Sequence, residues 1–208
     1  MKNNILTHSL FNLALEELKG QDKDLEAALL KFGPPPMWKR EPGFPSLVQI
    51  ILEQQVSLAS ARAAFRRLQQ TVPELTPHEF LKLDDKTLKK IGFSRQKARY
   101  VRILSEALKE GALDLEGLKK LDDGQARKEL LKLTGIGPWT ADIYLMMALR
   151  RPDIFPSGDL ALATAVQEVK KLKTRPSPQK LEDFSQKWKP WRAVAARICW
   201  HYYLSKRA

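Results

Sequence analysis

Asp159 stands where a carboxylate can do chemistry, directly after Pro156-Ser157-Gly158 and directly before the helical run Leu160 to Lys171. By position it is an N-cap, whose side chain accepts from first-turn amides, and those amides favour its ionised form. A fixed anion lowers the barrier to a reaction that builds positive charge beside it, and it can orient or deprotonate a water. A second feature lies upstream, in Leu133-Thr134-Gly135-Ile136-Gly137-Pro138-Trp139-Thr140-Ala141. Glycines at i and i+2 permit a hairpin between helices that needs positive φ and close backbone approach. Pro138 then starts a helix, so the turn presents unpaired amides and a positive dipole end, where a phosphate fits without any side chain. Each feature has a plain alternative when taken alone: a helix cap for Asp159, an ordinary helix–helix connection for the glycines.

Composition narrows the partner. With 36 basic and 24 acidic residues in 208, the formal charge is +12. That excess favours a polyanion, since each neutralised phosphate releases a counterion, although an acidic membrane surface would also suit it. Cys199, the only cysteine, can form no internal disulfide and can hold neither a zinc site nor an iron–sulfur cluster alone. His8, His78 and His201 lack metal-ligand spacing, so no metal is expected on side chains. Met1-Lys2-Asn3-Asn4 leads to no apolar stretch of signal or transmembrane length, and the expectation is an intracellular protein with no membrane span.

The elements that must position these groups read as short helices, and the predicted class is all-α. Thr76-Pro77-His78-Glu79 has the form of a capping box with proline at the first helical position, and Ser177-Pro178 opens a helix carrying Leu181, Phe184 and Trp188. Leu58, Ala61, Phe65 and Leu68 make one apolar face, with Arg62, Arg66 and Arg67 off it. Gly92 ends a helix after Ile91, and Ser94 caps the next, which buries Ala98, Val101 and Leu104. Gly33 through Pro45 reads as an extended connector with interleaved Met37, Trp38 and Phe44. Ile91-Gly92-Phe93-Ser94 echoes Gly135-Ile136-Gly137-Pro138, since each joins two helices by a tight glycine turn.

Four ordered blocks and a tail carry a resemblance. Ile51-Leu52-Glu53-Gln54-Gln55-Val56-Ser57, Gly92 to Ala98, Leu133 to Ala141 and Phe155-Pro156-Ser157-Gly158-Asp159-Leu160 come first; Trp188 to Ala196 and Trp200 form the tail. Together, over roughly Pro45 to Tyr203, they resemble the helix–hairpin–helix DNA glycosylase superfamily, close to the 3-methyladenine DNA glycosylase II (alkylpurine) branch. The resemblance implies Asp159 as catalytic carboxylate and Trp139, Trp200 and, in a less similar segment, Trp38 as base-pocket aromatics. It implies Gly135, Ile136, Gly137 and Thr140, with Ser94 and Lys97 of the second turn, as DNA-backbone contacts, and Gln55 as the residue wedged into the duplex.

It further implies a monomer that binds double-stranded DNA containing a damaged base, everts the nucleotide and hydrolyses the N-glycosidic bond of alkylated purines. Relatives that also nick DNA carry a nucleophilic lysine where Trp139 stands, so this chain is expected to leave the backbone intact. No organic cofactor is implied, and hairpin carbonyls can hold Na+ or K+. The implied architecture is a single glycosylase domain over 1–208 with two helical lobes, one from about Pro45 to Arg151 with the hairpin at 125–150, the other from 1–44 plus 160–208. A cleft is expected at their junction, where Asp159 falls.

Departures exist as well. Gln55 replaces an apolar wedge, Ile143 replaces an aromatic of some relatives, and the residues before Pro45 are too few and too helical for the β-sheet domain with which some relatives begin. A packing role for Trp139 and a surface role for Gln55 stay open. So do a glycosylase for deaminated or oxidised bases such as hypoxanthine and a non-catalytic helix–hairpin–helix DNA-binding protein.

Overall fold

The computed structural model describes residues 5–207; Met1-Lys2-Asn3-Asn4 and Ala208, with the expectations placed on them, lie outside. Among the described residues all regular structure is helical, as expected. The helices are α1 (His8–Gln21), α2 (Lys23–Phe32), α3 (Phe44–Glu53), α4 (Leu58–Thr71), α5 (Pro77–Leu81), α6 (Asp85–Ile91), α7 (Arg95–Lys109), α8 (Asp123–Leu131), α9 (Pro138–Ile143), α10 (Leu160–Val169), α11 (Pro178–Ser185) and α12 (Arg192–Ser205). Among the described residues no helix is long and apolar enough to cross a membrane.

Two compact units divide the chain: Arg40–Tyr144, and the described residues of Lys2–Lys39 with Leu145–Ala208. The first unit thus begins before Pro45 and ends before Arg151. Hydrogen bonds explain both ends. Arg40 forks onto both oxygens of Glu53 at 2.8 Å, and Gly43 N–H donates to the Tyr144 hydroxyl at 3.0 Å.

In the first unit α3 is buried almost all round, through Phe44, Leu47, Val48, Ile50, Ile51 and Leu52, as befits a helix with no polar face. Its first turn includes Pro45, so the extended connector stops at Gly43. Proline is tolerated there because the first amides have no intrahelical partner. Phe44, Phe80 and Phe93 continue the core as edge-on and tilted ring pairs, 6.3 and 5.6 Å between centroids. The apolar face of α4 differs from expectation. Ala61, Ala64 and Leu68 are buried, Phe65 is half-buried, and Leu58 at the open end of the stripe is 49% exposed. Thr76 caps α5 as expected, but Glu79 pairs with Lys82 at 2.6 Å and leaves the box half made. A complete capping box instead starts α8, between Asp122 and Gln125.

The second unit packs α10 and α2 against α12. Ala193, Ala195 and Ala196 are fully buried on α12, so neighbouring backbones can approach closely. One carboxylate, Asp22, ties three segments. It caps α2 through the amides of Asp24 and Leu25, accepts from Lys170 at the end of α10, and accepts from Trp188 Nε1 (2.8 Å) and Lys187 Nζ (2.9 Å). The far end of α10 is thereby clamped, and its near end carries Asp159.

Candidate active site and DNA-gripping turns

Within the second unit, the segment entering α10 is held from several sides. Arg192 donates to Asp153 through Nε (2.7 Å) and Nη2 (3.1 Å) and to Glu182 through Nη1 (2.9 Å). Pro152 O accepts from Ala193 N–H at 2.9 Å, and the Phe155 ring packs on Trp188 at 5.7 Å. Two short backbone bonds then fold the chain tightly: Ser157 N–H to Phe155 O and Asp159 N–H to Pro156 O, both 2.9 Å. They deliver Asp159 in extended geometry at the N-cap, where Oδ1 accepts from Leu162 N–H at 2.6 Å. The same oxygen accepts from the indole Nε1 of Trp200 at 3.2 Å. Cap and carboxylate are therefore one feature, and Trp200, buried on α12, is an aromatic in direct contact with it.

Trp38 is half-buried at φ +32, with its ring 6.4 Å from that of His201 and tilted by 63°. Its position is fixed by Arg197, fully buried, which donates to Met37 O (2.8 Å), Ala193 O (2.9 Å) and Met146 O (3.0 Å). Burial pushes that guanidinium down to about 10, still charged at neutral pH. Met146 lies in a π turn, Tyr144–Ala148, which replaces the expected continuation of the Pro138 helix. A π turn shifts the hydrogen-bond ladder by one residue, and Arg197 supplies a donor to the Met146 carbonyl there.

In the first unit both glycine turns form, and both need glycine. Gly92 sits at φ +112 and closes α6 with Phe93 N–H on Leu88 O, 2.9 Å. A Cβ there would lie 2.8 Å from Arg67, whose Nε donates to Ile91 O. Gly135 sits at φ +100, where a Cβ would overlap the Tyr100 ring of α7. The helix started by the first turn therefore packs on the second. Arg127 locks the hairpin's two helices by donating to Asp142 through Nε at 2.6 Å and Nη2 at 3.3 Å.

The expected DNA contacts divide. Ser94 caps α7 (Lys97 N–H to Oγ, 3.2 Å), and both it and Gly137 are exposed. Three others have partners within the first unit. Ile136 is buried and its amide closes the turn on Leu133 O at 3.0 Å. Thr140 is 1% exposed and its hydroxyl accepts from Gln54 Nε2 at 2.9 Å, so its side chain packs inside the hairpin. Lys97 is half-buried with its ammonium on Leu52 O at 2.7 Å, and burial lowers its pKa. It braces the C-terminal end of α3, where carbonyls lack donors.

Gln55 follows that end, exposed, at φ +54 in the left-handed region. Val56 (46%) and Leu58 (49%) are exposed beside it. Trp139 is half-buried on α9. Gln54 and Arg197 have no local sequence signal for these roles, because their partners lie 81 residues away for Gln54 and 51 and 160 residues away for Arg197. A groove lined by Leu15, Leu29, Leu30 and Pro34 contains none of the site residues.

Among the described residues no group of three or more His, Cys, Asp or Glu side chains is arranged for a metal. The hairpin carbonyls of Leu133 and Gly135 accept from Ile136 N–H at 3.0 Å and from Gln54 Nε2 at 2.9 Å.

The chain is similar to known proteins in sequence and in fold. The chain is 28% identical over 169 residues to DNA-3-methyladenine glycosylase of Bacillus subtilis, covering 76% of this chain and 56% of that protein. It is 27% identical over 202 residues to DNA-3-methyladenine glycosylase 2 of Escherichia coli, covering 90% and 68%. It thus spans little more than half the length of the first. The structure of the Schizosaccharomyces pombe 3-methyladenine DNA glycosylase in complex with abasic DNA superposes with a TM-score of 0.84 at 23% identity, over 94% of this chain and 97% of that one. Residues 48–190, from α3 to the segment before α12, match the profile of the HhH-GPD superfamily base excision DNA repair proteins, and the chain belongs to that family.

Proposed function

We propose that this protein is a DNA glycosylase of base excision repair that hydrolyses the N-glycosidic bond of alkylated purines of the 3-methyladenine and 7-methylguanine type. The observation that carries the reading is Asp159, a partly buried carboxylate with Oδ1 fixed by Leu162 N–H and Trp200 Nε1. Cleavage of an N-glycosidic bond builds positive charge on the sugar, which a preorganised anion stabilises. The carboxylate also orients or deprotonates the attacking water. N-alkylated purines are cationic, and an indole face such as that of Trp200 or Trp139 attracts a cation by roughly 0.5–2 kcal/mol. The names of the relatives support this substrate class.

DNA is the proposed partner of the single chain, gripped at its phosphates by the turns at Gly92–Ser94 and Gly135–Gly137, and the protein works wherever that DNA lies. A monovalent cation on the Leu133 and Gly135 carbonyls would add positive charge beside the second grip. Trp139 occupies the place of the lyase lysine, and an indole forms no Schiff base, so the product is an abasic site in an intact strand.

Incubation with methylated duplex and chromatography of the supernatant tests the reading: free 3-methyladenine or 7-methylguanine is expected. Release of no base from any lesion would leave a DNA-binding protein, and release of hypoxanthine alone would move the substrate to deaminated bases. Borohydride added during turnover is expected to trap nothing; a covalent protein–DNA band would overturn the hydrolytic assignment.

A further inference from the structure

The α3–α4 loop differs from the other connections of the first unit in what it exposes. Gln55 is held in the left-handed region, φ +54, and Val56 and Leu58 put apolar side chains into solvent. A side chain held outward at a strained position persists only where its surroundings fix it. Two side chains fix it. Gln54 Nε2 carries two hydrogens and directs both at the hairpin, one to Gly135 O and one to Thr140 Oγ1, each at 2.9 Å. Gly135 O belongs to the turn proposed to grip phosphate, and Thr140 is buried in the first turn of α9. From the other side Lys97, on α7 just after the Gly92 turn, donates to Leu52 O just before the loop.

We propose that Gln54 is a positioning residue that couples the phosphate grip to base eversion. By bonding the hairpin, it sets the register of the adjoining Gln55–Val56 tip, which fills the gap left by the everted nucleotide. Gln55 hydrogen-bonds the orphaned partner base, and Val56 fills the apolar space of the stack. The hairpin and the tip then move as one body, so seating the turn on a phosphate also seats the plug. Gln54 itself touches neither substrate nor the reacting atoms. This inference rests on the glycosylase reading above.

The test compares wild type with Gln54→Met, which keeps the length and volume of the side chain and removes both donated bonds. Single-turnover release of 7-methylguanine is measured from a fully paired duplex and from the same strand with the lesion in a three-nucleotide bubble. Eversion costs least where the base is already unpaired, so the positioning defect must shrink there. The paired substrate is expected to react about 10- to 30-fold more slowly, the size of two lost neutral hydrogen bonds. The bubble should lose less than about threefold. Affinity for undamaged duplex should stay near wild type, because phosphate contacts dominate it. Thr140→Val, which removes one acceptor, should give a smaller defect of the same pattern and stands in if Gln54→Met fails to fold. Equal losses on both substrates, or none on either, would overturn the coupling. Failure of wild type to release base from either substrate would overturn the glycosylase reading instead.

Discussion

Asp159→Asn is expected to slow release of alkylated purines on the order of 100-fold or more while leaving the fold and DNA affinity in place. Asparagine is as good an N-cap as aspartate. Its side-chain oxygen can still accept from Leu162 N–H and from Trp200 Nε1, the two bonds that Oδ1 accepts now. The substitution therefore removes the charge and keeps the cap, which separates the two roles that position alone left merged. Single-turnover release, duplex binding at fixed salt and thermal unfolding, taken together, are the check. A variant with unchanged release would reduce Asp159 to a helix cap. A variant that unfolds at much lower temperature would mean that the charge, beside the first amides of α10, is needed for folding.

Asp22→Asn is expected to be the most destabilising single change of comparable size. The residue is 4% exposed, and its two oxygens serve Lys170, Lys187, Trp188 Nε1 and the amides of Asp24 and Leu25. An asparagine keeps one acceptor, turns an NH2 toward donors and leaves the buried Lys170 ammonium short of charge. Breaking a buried pair from one side costs about 3–5 kcal/mol. For a protein of this size that corresponds to roughly 6–20 °C in Tm.

The pH dependence follows from the direction of the shift at Asp22. Burial pushes its pKa up, but hydrogen bonds from Lys170, Lys187 and Trp188 outweigh this and hold it below the ordinary carboxylate range. A lowered folded-state pKa gives stability that is complete above the unfolded value of about 3.9 and is lost as pH falls through the folded one. The gap in Tm between wild type and Asp22→Asn should therefore be constant from pH 5 to 8 and narrow below about pH 4. Scanning calorimetry across that range measures it, and a gap that persists undiminished at low pH would remove the charge from the explanation. Lys170 ends α10, so the variant should also lose base release in proportion as the Asp159 end loosens.

The features legible in the amino-acid sequence are local. Asp159 as an N-cap, Ser94 as another and the glycine turns at Gly92 and Gly135 depend on bonds spanning three to five residues and on φ values that glycine alone adopts at no cost. Family-like blocks carried the rest of the functional expectation, and the helical class followed from cap and period signals. The tertiary structure decided which donor meets which acceptor. Trp200 reaches Asp159 across 41 residues, Gln54 reaches Gly135 across 81, and Lys170 reaches Asp22 across 148. No periodicity encodes such pairs, because they arise only once packed helices bring side chains together and burial forces each polar group to find a partner. The same packing gives Lys97, Thr140 and Ile136 partners inside the first unit. Lys97 Nζ donates to Leu52 O, Thr140 Oγ1 accepts from Gln54 Nε2, and Ile136 N–H closes its turn on Leu133 O. Asp159 is thus a cap by sequence, and a carboxylate held by an indole only by fold.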